Sequence, residues 1–171
     1  MNDSKQDTLK QNRLGPLQGK RKMGWGILAV VATSLVWMGW LIDDWGRDWT
    51  TNTAATDPSA KSVDMRPLVI DLPPEQLAAV VRRWVDSEAR WSIAGSEAIA
   101  GGERLHLLHQ TRLLRFTDDV HVTLIAEEAT GRPTTLSAHS QSRIGKGDLG
   151  QNPRNIKQLI AGVRAETERT R

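Results

Sequence analysis

The chain has 171 residues and no cysteine, which leaves room for one ordinary domain plus some extra chain and excludes disulfides, thiol catalysis and cysteine-built zinc or iron–sulfur sites. The formal net charge is +3, but it is local: residues 1–23 hold six basic and two acidic side chains, and residues 50–171 hold 16 and 15. So neutral a remainder offers no phosphate-neutralising surface, and nucleic acid is not an expected partner.

Residues 1–22 read as a basic cytoplasmic segment ending in Lys20-Arg21-Lys22. The next 20 residues, Met23 to Ile42 (MGWGILAVVATSLVWMGWLI), carry no charge. As a helix rising 1.5 Å per residue they reach about 30 Å, the thickness of a bilayer's hydrocarbon core. Asp43 and Asp44 follow, so the positive-inside bias predicts a cytoplasmic N-terminus and an extracytoplasmic remainder. Trp25, Trp37, Trp40 and Trp45 read as membrane-anchoring indoles, Trp25 on the near side, and Trp40 and Trp45 with Trp49 toward the far headgroups. A cleaved signal peptide would have a shorter apolar run and a small-x-small site directly behind it. Here the first alanine pair, Ala54-Ala55, lies well downstream. Residues 43–65 are rich in Thr, Ala, Asp and Ser without periodicity, which predicts a flexible tether.

A domain over 66–166 follows. Pro73-Pro74 open a helix, and Leu77, Val80, Val81 and Trp84 form one apolar stripe to about Ala89. Strand signals cover Trp91–Ala98, Arg104–Leu113, an alternating run through Val120, Val122, Leu124 and Ala126, and Thr134–Ser142. A last helix begins at Asn152-Pro153, with asparagine as N-cap and a stripe of Ile156, Leu159, Ile160 and Val163. Residues 167–171 read as a frayed tail. The expected fold is α+β: helix, four-stranded antiparallel sheet, helix, with both helices on one face.

Between the fourth strand and the last helix lies GKGDLG, which matches the G-x-G-x-x-G spacing of dinucleotide sites. The context fails, because no second parallel strand follows and all three glycines precede the helix. No cofactor is expected. The glycines suit a tight strand-to-helix corner, Asp148 suits the positive end of the helix dipole, and Arg143 is placed to hold Asp148 or the Asp118-Asp119 corner.

Three blocks, RFTDDV at 115–120, HSQSRIGKGDLGQN at 139–152 and the following RNIKQL, resemble the bacterial family known as domain of unknown function 1499. PLVIDLPPEQL at 67–77 agrees more loosely, so the resemblance covers roughly 66–166. Its most specific series falls on Ser142, Arg143, Gly145, Asp148, Leu149, Gly150 and Asn152, and it departs at Gly147, where a serine is expected. The resemblance implies a domain on exported or membrane-tethered chains and no established activity.

His121 and His139 fall nearly opposite each other if the third and fourth strands turn around Thr130, but no third metal ligand is specified, and no metal is expected. His106 and His109, three apart, face opposite ways. No G-x-S-x-G occurs and no catalytic residue is singled out. The open sheet face is expected to show His121, Thr123, Thr135, Ser137, His139 and Gln141. The resulting expectation is a single-pass inner-membrane protein, held in the bilayer through residues 23–42, whose extracytoplasmic domain binds or assembles with an envelope protein. The alternative is small-ligand binding or hydrolysis on the polar sheet face or the Arg143–Asn152 loop.

Overall fold

A computed structural model describes residues 25–36, 51–112, 115–127, 131–144 and 150–170. The chain divides into two compact units, Met1–Leu41 and Ile42–Arg171. Of the first unit, one helix is described, α1 over residues 25–36, exposed at every position. Its two hydroxyls are turned onto its own backbone, Thr33 donating to the Ala29 carbonyl and Ser34 to that of Val30, which satisfies both in an otherwise apolar helix. Trp25 stands at its start, 74% exposed; Trp37, Trp40 and Trp45 lie outside the described residues. Among the described residues no helix is long and apolar enough to cross a membrane.

The second unit runs β1 (Thr53–Ala55), a 3-10 turn (Val63–Met65), β2 (Leu68–Ile70), α2 (Pro74–Ser87), β3 (Trp91–Ile99), β4 (Gly102–Gln110), β5 (Thr117–Ala126), β6 (Thr134–Ser142) and α3 (Gln151–Arg169). The fold is α+β with an antiparallel sheet, as expected, but with six strands instead of four. The sheet order is β1-β6-β5-β4-β3, and β2 also pairs with β6. The two unforeseen strands share one edge of β6: β1 covers residues 139–141 and β2 covers 134–136. Thus part of the stretch expected as a tether, 43–65, is built into the sheet.

The four long strands alternate as their sequence predicts. Leu105 and Leu107 on β4, Val120, Val122 and Leu124 on β5, and Leu136 and Ala138 on β6 point to one buried side. Against it lie Leu77, Val81 and Trp84 of α2 and Ile156, Leu159, Ile160 and Val163 of α3, so each helix buries the stripe read from its spacing. Each such side chain contributes roughly 1.5–3 kcal/mol by leaving water. The opposite sheet face is left open.

Three boundaries differ from expectation. Asn152 is not the N-cap of α3; Gly150 is, with φ of 76°, and no side chain caps the helix. The left-handed turn suits glycine and brings Asn152 inside the first turn. The tail expected to fray is helical to Arg169, because Thr167 is buried and donates to the Val163 carbonyl. β4 ends at Gln110, short of the expected Leu113.

Candidate functional site

Strand alternation sends the two acids of the Asp118-Asp119 corner to opposite faces. Asp118 follows Val120 and Val122 inward and is 1% exposed. There it accepts from Asn155 Nδ2 at 2.9 Å. Asn155 also donates to Ser140 Oγ, whose hydroxyl donates to Asn152 Oδ1 at 2.6 Å. Asn152 Nδ2 in turn donates to Ser142 Oγ and to the Asn52 carbonyl, at 3.0 and 2.7 Å. His109 Nδ1 lies 3.6 Å from Asp118, and the His109 ring is 4.9 Å from Trp91. Burial pushes the Asp118 carboxyl up, but His109, Ser142 and Asn155 more than offset this and hold it below the ordinary range. An ionised carboxylate bonded by Asn155 and Ser142, with Ser140 and Asn152 bonded behind them, is a clamp. It joins β5, β6, the chain before β1 and the start of α3, while His109 Nδ1 beside it is buried with no hydrogen-bond partner among the described residues.

Asp119, on the open face, has a different company. Arg143 grips it with two bonds of 2.7 Å, Nε to Oδ2 and Nη2 to Oδ1, the planar fork that matches a carboxylate. His106 Nε2 lies 2.7 Å from Oδ1. Arg143, opposed by burial and assisted by His106, holds Asp119 down to about 2. Being ionised, Asp119 only accepts, so His106 Nε2 donates to it.

Beside it the sheet register builds a row. His106 pairs with His121 across β4 and β5, and His121 pairs with His139 across β5 and β6. The His106 and His121 rings stack 4.6 Å apart at 17°. Burial, then the neighbouring His106, His139 and Arg104 charges, with Asp119 opposing, keep His121 below its ordinary value. A cavity of about 900 Å³ opens above the row. Its floor is the three histidines with Thr123 and Ser137; Pro58 and Pro67, from the connection between β1 and β2, form one wall, and Arg104, 3.7 Å from Glu97, stands at the other.

The candidate residues therefore separate. Ser142 and Asn152 belong to the interior clamp with Asp118, and Arg143 belongs to the open face with Asp119. Gly145 and Asp148 lie outside the described residues, and Gly150 serves the turn. His121 and His139 do face each other, and His106 joins them. The expected pairing of Arg143 with the Asp118-Asp119 corner is present, through Asp119 alone. Ser140 and Asn155 went unread, although the inward positions of Val120 and Leu136 imply an inward Ser140. Among the described residues no group of three or more His, Asp or Glu side chains could hold a metal ion.

The arrangement offers a carboxylate-oriented imidazole, two further imidazoles, hydroxyls and an arginine around an open, partly apolar floor. That is chemistry for recognising a ligand with both a flat apolar part and polar edges. The family described as protein of unknown function (DUF1499) matches residues 46–163. No curated protein and no solved structure matches the chain.

Proposed function

The chain belongs to the DUF1499 family, whose members carry no assigned activity, and from that premise we propose that it is a single-pass inner-membrane protein with an extracytoplasmic binding domain. The domain takes a small ligand or a partner's side chains on the open sheet face. The observation that carries the binding reading is the cavity of about 900 Å³ floored by His106, His121 and His139, with His106 set by an Asp119 that Arg143 fixes in turn. A sheet needing only stability would not require a supported imidazole on its solvent side, whereas a binding site uses such second-layer bonds to hold its first layer still.

The anchored reading is supported by the uncharged run Met23–Ile42 between Lys20-Arg21-Lys22 and Asp43-Asp44. A reporter enzyme fused after Arg171 should be active only outside the cytoplasm. For the site, ring resonances of the full-length chain in detergent are followed while small-molecule and protein fractions of the envelope are added separately. His106, His121 and His139 should shift together, and His109, on the buried face, should stay. Movement of His109 with the rest, or no response to either fraction, overturns the open-face site. Zinc is titrated in parallel, and a stoichiometric response of the row would replace the small-ligand reading with a metal one.

A further inference from the structure

One end of the domain, the one at which the chain arrives from residue 51, combines exposed basic and apolar side chains. Asn52 is fixed there: its carbonyl accepts from Ser142 N at 3.0 Å and from Asn152 Nδ2. The β4–β5 turn lies at the same end, since Asp118 pairs with Ser142 and Gln110 with Thr117, and Arg143 N donates to the Thr117 carbonyl. Arg90 is there too, its carbonyl accepting from Gln110 N.

We propose that this end, carrying Arg90, Arg112, Arg115, Phe116 and Ile144, rests on the headgroups of anionic lipid. The inference rests on the anchored reading above and adds which surface of the domain meets the membrane. Three observations carry it.

The first is reach. Nine residues, 43–51, separate Ile42 from Asn52, and nine residues span at most about 32 Å. A domain of about 120 residues is some 35 Å across, from its expected radius of gyration. On the anchored reading, a connection shorter than the domain is wide cannot let the point of arrival face directly away from the bilayer.

The second is charge. Arg90, Arg112 and Arg115 are exposed and form no ion pair among the described residues. Of the nearby acids, Asp119 is neutralised by Arg143 and Asp118 is buried; Glu88, which accepts from the uncharged Gln158 amide, and exposed Asp86 leave the three arginines one charge in excess. The opposite end is different: Arg82 pairs with Glu103 and Arg132 with Asp71, and Glu75 and Glu127 are exposed there as well. Basic side chains near an anionic leaflet are attracted within a Debye length, and acidic ones are repelled.

The third is apolar exposure beside the charge. Phe116, the chain's single phenylalanine, is 39% exposed, and Ile144 is 61% exposed. Phe116 rides on a pinned turn, its N–H donating to Thr111 Oγ1 and its carbonyl accepting from Thr111 N, both at 2.9 Å. Apolar side chains held out between arginines suit the boundary between headgroups and acyl chains.

The test uses the full chain, whose lack of cysteine allows single labels. Ile144→Cys and, as a far-end control, Glu127→Cys are each labelled with an environment-sensitive dye. The proteins are reconstituted in phosphatidylcholine vesicles with or without phosphatidylglycerol, carrying a headgroup quencher. Quenching at 144 should exceed that at 127 by about threefold with phosphatidylglycerol present, and high salt should reduce it. The triple variant R90E/R112E/R115E, altered only at exposed positions and checked for folding by circular dichroism, should lose the phosphatidylglycerol-dependent part. Equal quenching at both positions in a chain that floats with the vesicles overturns the docking alone. So does indifference to both phosphatidylglycerol and charge reversal, or protection of the 144 label only when a protein partner is added. A chain that fails to float overturns the anchored reading, and this proposal with it.

Discussion

Two aspartates that adjoin in the chain carry separate duties because a strand alternates. Asp118 is spent inside, and the residues around it should be the more costly to change. Asn152→Ala removes bonds to Ser140, Ser142 and the Asn52 carbonyl at a site with no exposure, and leaves each of these partners one bond short. A loss of about 2–4 kcal/mol is expected in urea unfolding, from several groups each costing about 1–3. Arg143→Ala removes a solvent-exposed pair and should leave the urea midpoint nearly unchanged. It should nevertheless raise the Asp119 carboxyl from about 2 toward its ordinary value, seen by carboxylate NMR titration. The pH dependence follows from His121. Its folded pKa lies below the model-peptide 6.5, so the unfolded chain binds the proton more readily. Its contribution is complete above about 6.5 and is lost as pH falls through 6.5 toward the depressed value. The urea midpoint should therefore drop between pH 7.5 and pH 5.5 through this group, and His121→Asn should flatten that drop; an unchanged slope in the variant excludes His121 as its source. Asp119 acts in a lower window, its contribution being lost from about 3.8 down to about 2. At this scale the sequence was half legible. Alternation through Val120 and Val122 already implied which aspartate turns inward. The partners are not legible, because the Asn-Pro pair has the form of a cap, and only the left-handed Gly150 displaces Asn152 into the helix.

Elements were legible where their periodicity ran long. The stripes of α2 and α3 and the alternation of β4 to β6 appear as read, because one buried face over eight or more residues leaves a repeating mark. β1 and β2 hold no period in three residues; Thr-Ala-Ala has weak strand preference, and Leu-Val-Ile, though strand-like in composition, is too short to distinguish from a loop. They exist because the outer edge of β6 offers unpaired backbone groups that the chain on either side of the 3-10 turn can satisfy. The contact of α2 with α3 was equally hidden. Gly162 lies against Trp84 so closely that an added Cβ would sit 2.0 Å from the indole Nε1, and Trp84 in turn meets Trp91 edge to face at 5.0 Å. In an isolated helix, glycine to alanine gains about 1 kcal/mol. Here Gly162→Ala should instead destabilise, by about 1–3 kcal/mol, because the buried ring has little room to move. Urea unfolding gives the sign. A cycle with Trp84→Leu should recover most of the loss, which locates the cause in that contact; a stabilised single variant would mean that the helices separate easily.

At the scale of the whole molecule, the two ends of the chain's logic rest on different physics. The domain's order of elements follows from burial, whereas the anchor reading rests on the uncharged run Met23–Ile42 and the charges that flank it. The proposal of a span can be separated from that of an ordinary apolar helix by one substitution. Val30 is 66% exposed on α1, so an arginine there meets no neighbour among the described residues and should leave the domain's unfolding curve unchanged. Within a bilayer the same arginine sits near the middle of the apolar run and costs about 2.5–3.5 kcal/mol of insertion. That is roughly a hundredfold shift toward the uninserted chain. Val30→Arg should accordingly move the protein from the carbonate-resistant membrane pellet to the extractable fraction while its folded domain melts as before. Exchanging Lys20-Arg21-Lys22 with acidic residues and Asp43-Asp44 with lysines should instead keep the chain inserted and invert the reporter after Arg171, since orientation follows the flanking basic charge and not the apolar run. A variant that inverts nothing, together with a Val30→Arg chain that fractionates like the parent, would place α1 outside the bilayer. The basic and apolar end of the domain would then have no lipid to face.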